Sequence, residues 1–212
     1  MIAAPGRRIL AAAAVAVLAA ATAGCAGGGA ASTRNDSPGL VMINTGKYKG
    51  NIITPVVKPA TVLIDTAGKP FDIRAMTPGG VTLLFFGYTH CPDECPLTMA
   101  STAAALRMLP AAQRAKIRVL FVTVDPARDT LARLRSWLGS FNPAFIGLRG
   151  TEAQVQAAAR QTGITVSPVL LEHGTEMLAY GTDNVAREAF FPSTPPASMA
   201  HDLGLLVTGH HP

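Results

Sequence analysis

Val81-Thr-Leu-Leu-Phe-Phe-Gly-Tyr-Thr-His-Cys91-Pro-Asp-Glu-Cys95-Pro-Leu-Thr-Met99 runs from an apolar strand through a Cys-x-x-x-Cys turn into a helix. Val81 to Phe86 reads as a continuous apolar run, as expected of a strand covered on both faces. The two thiols stand four residues apart. In a helical turn, at roughly 1.5 Å rise per residue, that places their Cα atoms about 6 Å apart, inside the window for a disulfide. The same pair can clamp one soft metal ion between two thiolates. The stretch therefore supports redox chemistry, metal chemistry or both.

Working outward, Thr61–Asp65 and Pro70–Arg74 flank a turn at Ala67-Gly68 and read as a hairpin. A helix is expected from about Cys95 to Leu109, stopped by Pro110. Lys116–Val124 is a second buried strand. Thr130–Leu138 is a helix with Leu131, Leu134 and Leu138 on one face and Asp129 or Thr130 as its cap. Ala144–Leu148 is a short strand, and Thr151–Gln161 a helix. Met177–Tyr180 and Val185–Phe190 form a hairpin around Gly181–Asn184, and Pro196–Val207 is the last helix. Alternating strands and helices make an α/β sheet, to which the closing hairpin adds antiparallel strands. A cysteine pair at a strand-to-helix junction, with a closing ββα unit, predicts a thioredoxin-like fold carrying an N-terminal β-hairpin extension.

The chain has 212 residues and a formal charge of +5. Arg7-Arg8, the Ala/Val/Leu-rich run Ile9–Ala21 and the small residues Thr22-Ala-Gly before Cys25 have the order of a bacterial export signal. A cysteine directly after the small residues resembles a lipobox, with Cys25 as the lipidated first residue of the mature chain. Residues 1–24 are thus read as a lipoprotein signal peptide, 25–57 as the lipidated cysteine with a flexible tether and extended lead-in, and 58–212 as the folded domain. Loss of Arg7 and Arg8 brings +5 down to +3. Such a mild charge, without a clustered basic face, argues against nucleic acid as a partner. Of three cysteines, Cys25 is assigned to lipid, which leaves Cys91 and Cys95 as the only thiols of the domain. A lone close pair outside the cytoplasm points to function more than to stapling.

Phe86-Gly-Tyr-Thr-His-Cys-Pro-Asp-Glu-Cys-Pro96 resembles the signature of the Sco/SenC family of copper-binding thioredoxin-fold proteins. Val122-Thr-Val-Asp-Pro-Ala-Arg-Asp129 is similar to that family's second block, and Glu172-His173 falls where its third metal ligand stands. The resemblance covers roughly residues 58–208. It implies copper, Cu(I) or Cu(II), one per chain, on Cys91, Cys95 and His173. It further implies delivery of copper to the binuclear site of cytochrome c oxidase subunit II, or preparation of that site's thiols. The place implied is the outer face of the cytoplasmic membrane, held there by the lipid on Cys25. Glu172 replaces the aspartate common before the histidine; the charge is kept, so tuning of the site is expected.

The chemistry of the residues agrees with that implication. The thiolate is both ligand and nucleophile, and a helix N-terminus favours it, while Asp93 and Glu94 oppose it. Two soft thiolates suit copper(I), and one imidazole completes a three-coordinate site open to either oxidation state. Structural zinc is disfavoured, since it usually takes four protein ligands. A competing reading uses Cys91 and Cys95 as redox thiols in a thiol–disulfide oxidoreductase, or in a redox or copper sensor, without obligatory metal. His90 is expected to point away from the thiols and to be structural or to modulate them. His201 is expected on the surface or at a cap, His210 and His211 in a frayed tail, and Asp125 and Asp129 in turn and capping roles.

Overall fold

The computed structural model describes residues 46–167 and 172–212. The signal segment, Cys25 and most of the tether lie outside the described residues. In chain order the elements are β1 (Asn51–Val57), β2 (Val62–Asp65), β3 (Pro70–Asp72), β4 (Val81–Gly87), α1 (Glu94–Met108), α2 (Ala111–Arg114) and β5 (Ile117–Thr123). There follow α3 (Leu131–Gly139), β6 (Ile146–Arg149), α4 (Glu152–Thr162), β7 (Val166–Ser167), β8 (Glu172–His173), β9 (Met177–Tyr180), β10 (Val185–Phe190) and α5 (Pro196–Val207).

Eight strands form one mixed sheet in the order β1-β10-β9-β4-β5-β6-β2-β3, and β7 and β8 form a separate ribbon. β4, β5 and β6 run parallel, and β9 joins β4 antiparallel. β4 is buried along its whole length, because it sits between β5 and β9 with helices over both faces. Alternate residues separate cleanly. Val81, Leu83 and Phe85 pack with Met99, Ala103 and Leu106 of α1 and Met199, Leu203 and Leu206 of α5. Leu84 and Phe86 pack on the other side with Val155, Ala158 and Ala159 of α4. Each such Leu or Phe stabilises the fold by about 1.5–3 kcal/mol through apolar burial. On α1 the buried Cys95, Met99, Thr102, Ala103 and Leu106 form a stripe at helical spacing, so the helix that carries Cys95 is anchored by its own inner face.

The β2–β3 hairpin forms as expected, with Val62 opposite Asp72 and Gly68 at φ +79°. Its place is the sheet edge, where β2 pairs antiparallel with β6. The closing hairpin turns through Asn184, at φ +63°, a left-handed conformation that asparagine tolerates better than most residues. One boundary differs. Asn51–Val57, expected only as extended lead-in before residue 58, is a paired edge strand antiparallel to β10. Its register breaks between Ile52 and Val56, and Ile53 is its one buried residue, so no two-residue alternation marks it. Among the described residues no helix is long and apolar enough to cross a membrane.

Candidate metal centre

The centre is built at the carboxyl end of β4. The Val124 amide donates to the Gly87 carbonyl at 2.8 Å, which ties the loop to the end of β5. A Cβ on Gly87 would stand 2.9 Å from Cys95 Sγ and 2.8 Å from Phe85 Cε1; the thiol occupies the space a side chain would take. The chain then turns, with the Cys91 amide donating to the Tyr88 carbonyl at 3.3 Å. Asp93 caps α1 by accepting from the Glu94 amide at 2.7 Å.

Cys91 precedes α1 and is partly exposed, while Cys95 lies in its first turn and is fully buried. Both are free thiols. The Cys95 amide donates to Cys91 Sγ at 3.4 Å, so the first sulfur receives a helix N-terminal N–H and the positive end of the dipole. Cys95 is different. Burial pushes its thiol well above the usual range, Cys91 and Glu94 push in the same direction, and the Tyr88 amide pulls against them. A buried neutral thiol gives up its proton when a cation arrives at the sulfur, because the ion's charge dominates the local field.

His173 reaches this junction from a distant part of the chain. In the β7–β8 ribbon it stands opposite Val166. Its Nδ1 lies 3.0 Å from the Gly174 carbonyl. A carbonyl only accepts, so Nδ1 carries the proton and Nε2 presents its lone pair. That Nε2 lies 3.6 Å from Cys95 Sγ. The ring is met edge-on by Phe85 (centroids 5.9 Å apart) and Tyr88 (5.5 Å apart). The three donor atoms of Cys91, Cys95 and His173 lie within 4.8 Å of one another. Atoms so close can meet at one ion through bonds of roughly 2.0–2.3 Å after small adjustments. Two sulfurs and one neutral imidazole are a soft to borderline donor set, suited to copper and poor for calcium or magnesium.

The second sequence block underlies the first. Asp129 is fully buried, and its carboxylate accepts from the Thr89 amide (3.0 Å), the Thr89 hydroxyl (2.5 Å) and the Thr123 hydroxyl (2.7 Å). Arg133 Nε donates to the same Thr89 hydroxyl at 2.7 Å. Asp129 is therefore a clasp between the thiol loop and β5. The cap of α3 is Thr130, which accepts from the Arg133 amide. Asp125 does serve the turn: its carbonyl accepts from the Asp129 amide, and its carboxylate from Arg128. His90 Nδ1 faces Thr89 Oγ1 at 3.3 Å and Asp129 at 3.6 Å, away from the donor trio. His201 pairs with Asp202 on α5 at 2.8 Å, and His210 meets Thr208. The signal for the clasp lay in Thr89, Thr123 and Asp129 together, but only the fold brings the three into one place.

An α/β protein with helices on both faces of its sheet and a Cys-Cys-His trio at the end of its central parallel strand β4 is thus defined. Residues 54–208 match the SCO1/SenC family, and the chain belongs to that family. It is similar to ScoI of Bradyrhizobium japonicum, solved with copper bound, at 28% identity and TM-score 0.64, covering 71% of this chain and 99% of that one. It is equally similar to the apo Sco1 of Thermus thermophilus, at 28% identity and TM-score 0.65, covering 75% and 96%. Mitochondrial SCO2 of Saccharomyces cerevisiae is 39% identical over 99 residues, 47% of this chain and 33% of that protein. The chain spans between about a quarter and a little over half the length of the curated relatives it matches. The thioredoxin-like fold expected from the order of elements is the fold of these neighbours.

Proposed function

We propose that this protein holds one copper ion between Cys91, Cys95 and His173, as cargo. In this reading it delivers that copper to the binuclear site of cytochrome c oxidase subunit II, or prepares that site's thiols. The observation that carries the reading is the convergence of three donors from two distant segments within 4.8 Å. A purely redox pair has no need of His173, whose Nδ1 bond aims its free nitrogen at a sulfur. The copper-bound relative from Bradyrhizobium japonicum supports the choice of metal. Three protein ligands leave copper coordinatively open, which suits transfer to a second set of thiolates. The working place is the outer face of the cytoplasmic membrane, with the chain tethered through lipid on Cys25.

A second reading, thiol–disulfide exchange, is favoured by one observation: both thiols are free, close together, and only Cys91 is open to a partner. The Cys91 thiolate would attack a partner disulfide and release one partner thiolate. Cys95 would then attack Cys91 Sγ, leaving a Cys91–Cys95 disulfide and the partner as a dithiol, a two-electron transfer that balances. The two readings meet in one test. Oxidation with diamide consumes both thiolate ligands, so the oxidised protein is expected to lose its copper on gel filtration and to regain it after reduction. Undiminished retention after complete oxidation would refute copper ligation by the thiols.

A further inference from the structure

On its N-terminal side His173 belongs to the β7–β8 ribbon, opposite Val166. On its C-terminal side the next residue, Gly174, fixes the ring: its carbonyl lies 3.0 Å from Nδ1. The backbone of Gly174 does not take the left-handed conformation that favours glycine. What reserves the position is Glu176. A Cβ on Gly174 would collide with Glu176 Oε2 and stand 2.7 Å from its Cδ and 2.8 Å from its Oε1. A surface glutamate would swing aside, but Glu176 is only 3% exposed and runs straight into the buried strand β9. Its Oε1 is shut off from water and meets no donor among the described residues. An acceptor so placed is destabilising, and packing alone would be better served by an apolar side chain.

We propose that Glu176 is a positioning residue of the metal centre: its carboxyl group is the seat on which the His173–Gly174 turn rests, and it keeps Nε2 aimed at the Cys95 sulfur. The inference rests on the copper reading above and deepens it by naming what holds the third ligand. The chain of contacts is short. The carboxyl group lies on Gly174, the Gly174 carbonyl holds Nδ1, and Nε2 stands 3.6 Å from Cys95 Sγ. The partner of a ligating imidazole's second nitrogen fixes its tautomer and plane. Glu176 acts one step further back, on the residue that supplies that partner. Phe85 and Tyr88 meet the ring itself; Glu176 is packed on the turn that carries it.

Seat and turn separate experimentally. Copper is titrated into the reduced full-length wild type, Glu176→Ala, Glu176→Gln, Gly174→Ala and the double variant Gly174→Ala/Glu176→Ala, and affinity and the thiolate-to-copper(II) charge-transfer band are read. Nitrogen–proton NMR signals of the imidazoles in the same metal-free proteins report whether His173 Nδ1 keeps its proton. Glu176→Ala and Gly174→Ala are each expected to bind copper roughly tenfold more weakly, with a shifted band and with His173 no longer held as the Nδ1–H tautomer. Glu176→Gln keeps the shape and is expected to match wild type. In the double variant the added methyl enters the space the carboxyl group has left, so its loss of affinity is expected to be smaller than the product of the two single losses. Wild-type affinity and tautomer in Gly174→Ala would overturn the proposal. So would independent, multiplying losses in the double variant, or a Glu176→Gln variant as impaired as Glu176→Ala. Should Glu176→Ala fail to fold, Gly174→Ala and Glu176→Gln decide. A wild-type protein that holds no copper would instead overturn the copper reading, and the imidazole signals would still decide the role of Glu176.

Discussion

Asp129 offers two carboxylate oxygens to three donors from two elements, the Thr89 amide, the Thr89 hydroxyl and the Thr123 hydroxyl. All are buried, so removal of the acceptor leaves each without solvent to replace it. Asp129→Ala is expected to lower stability by about 3 kcal/mol or more and to weaken copper binding, because Thr89 lies two residues before Cys91; urea denaturation and copper titration check this. Asp129→Asn, which keeps one acceptor oxygen, should lose less of both. Residue type and spacing were enough to read Cys91 and Cys95 from the sequence, since few side chains do that chemistry. Asp129 was legible only as a turn or capping acid, because an aspartate before a helix is normally that. Gly87 belongs to the same class: its reason is a sulfur 2.9 Å from where its Cβ would be, and no local pattern encodes that distance.

The ribbon of β7 and β8 has two residues in each strand, with Val166 opposite His173 and Ser167 opposite Glu172. It is too short for any periodicity to mark it, which is why His173 was placed by resemblance while the cysteines were placed by chemistry. The longer elements were legible to within a few residues. β4 and β5 are covered on both faces and read as apolar runs, and α4, expected from Thr151, is opened in the structure by a Thr151–Gln154 capping box. The edge strand β1 was legible only as extended chain, for want of a buried stripe. The ribbon has a clear experimental consequence. Val166→Pro breaks its pairing on the side away from the thiols. Weaker copper binding is expected, with the rate of Cys91–Cys95 disulfide formation unchanged. Copper affinity and oxidation kinetics of that one variant thus separate the imidazole from the thiol pair.

At the scale of the molecule, two buried acids join the start of the domain to its last helix. Asp202 of α5 accepts from the Lys49 and Gly50 amides at 2.7 Å each and from His201. Glu188 of β10 is fully buried beside it. Burial first, and then the Asp202 carboxylate, push the Glu188 carboxyl up to about 10 from an ordinary 4.5. Glu188 is therefore a protonated acid in the fold, with the Tyr48 phenol close enough to sense both acids. Between pH 4.5 and 10 the folded chain keeps a proton that the unfolded chain has released, so this group's contribution to stability falls as pH rises. Lys58 acts in the opposite sense. Burial first, and then the Arg74 charge, lower it to about 8 from 10.5 against the weaker pull of Asp183, so it adds stability with rising pH across that narrower window. Glu188→Gln, which keeps the shape and donates without a titrating proton, should flatten the loss of stability between about pH 5 and 8. Denaturation midpoints across that range, with copper absent, check it. None of this was legible in the sequence, where Glu188 and Asp202 are ordinary acids; their meeting depends on the sheet order that brings β10 and β1 beneath α5. The sheet's centre was legible because its strands are apolar on both faces; of its edges, the β2–β3 hairpin was legible from its turn, and β1 was not because it is half exposed.

The central claim is that two thiols and one imidazole form a single copper site. The measurement that tests it most directly is an anaerobic copper titration of the reduced full-length protein beside His173→Ala, read as stoichiometry, affinity and thiolate-to-copper(II) charge transfer. Saturation at one copper per chain is predicted, with weaker binding and a shifted band in His173→Ala. No stable copper in the intact protein, or a His173→Ala variant indistinguishable from it, would contradict the claim.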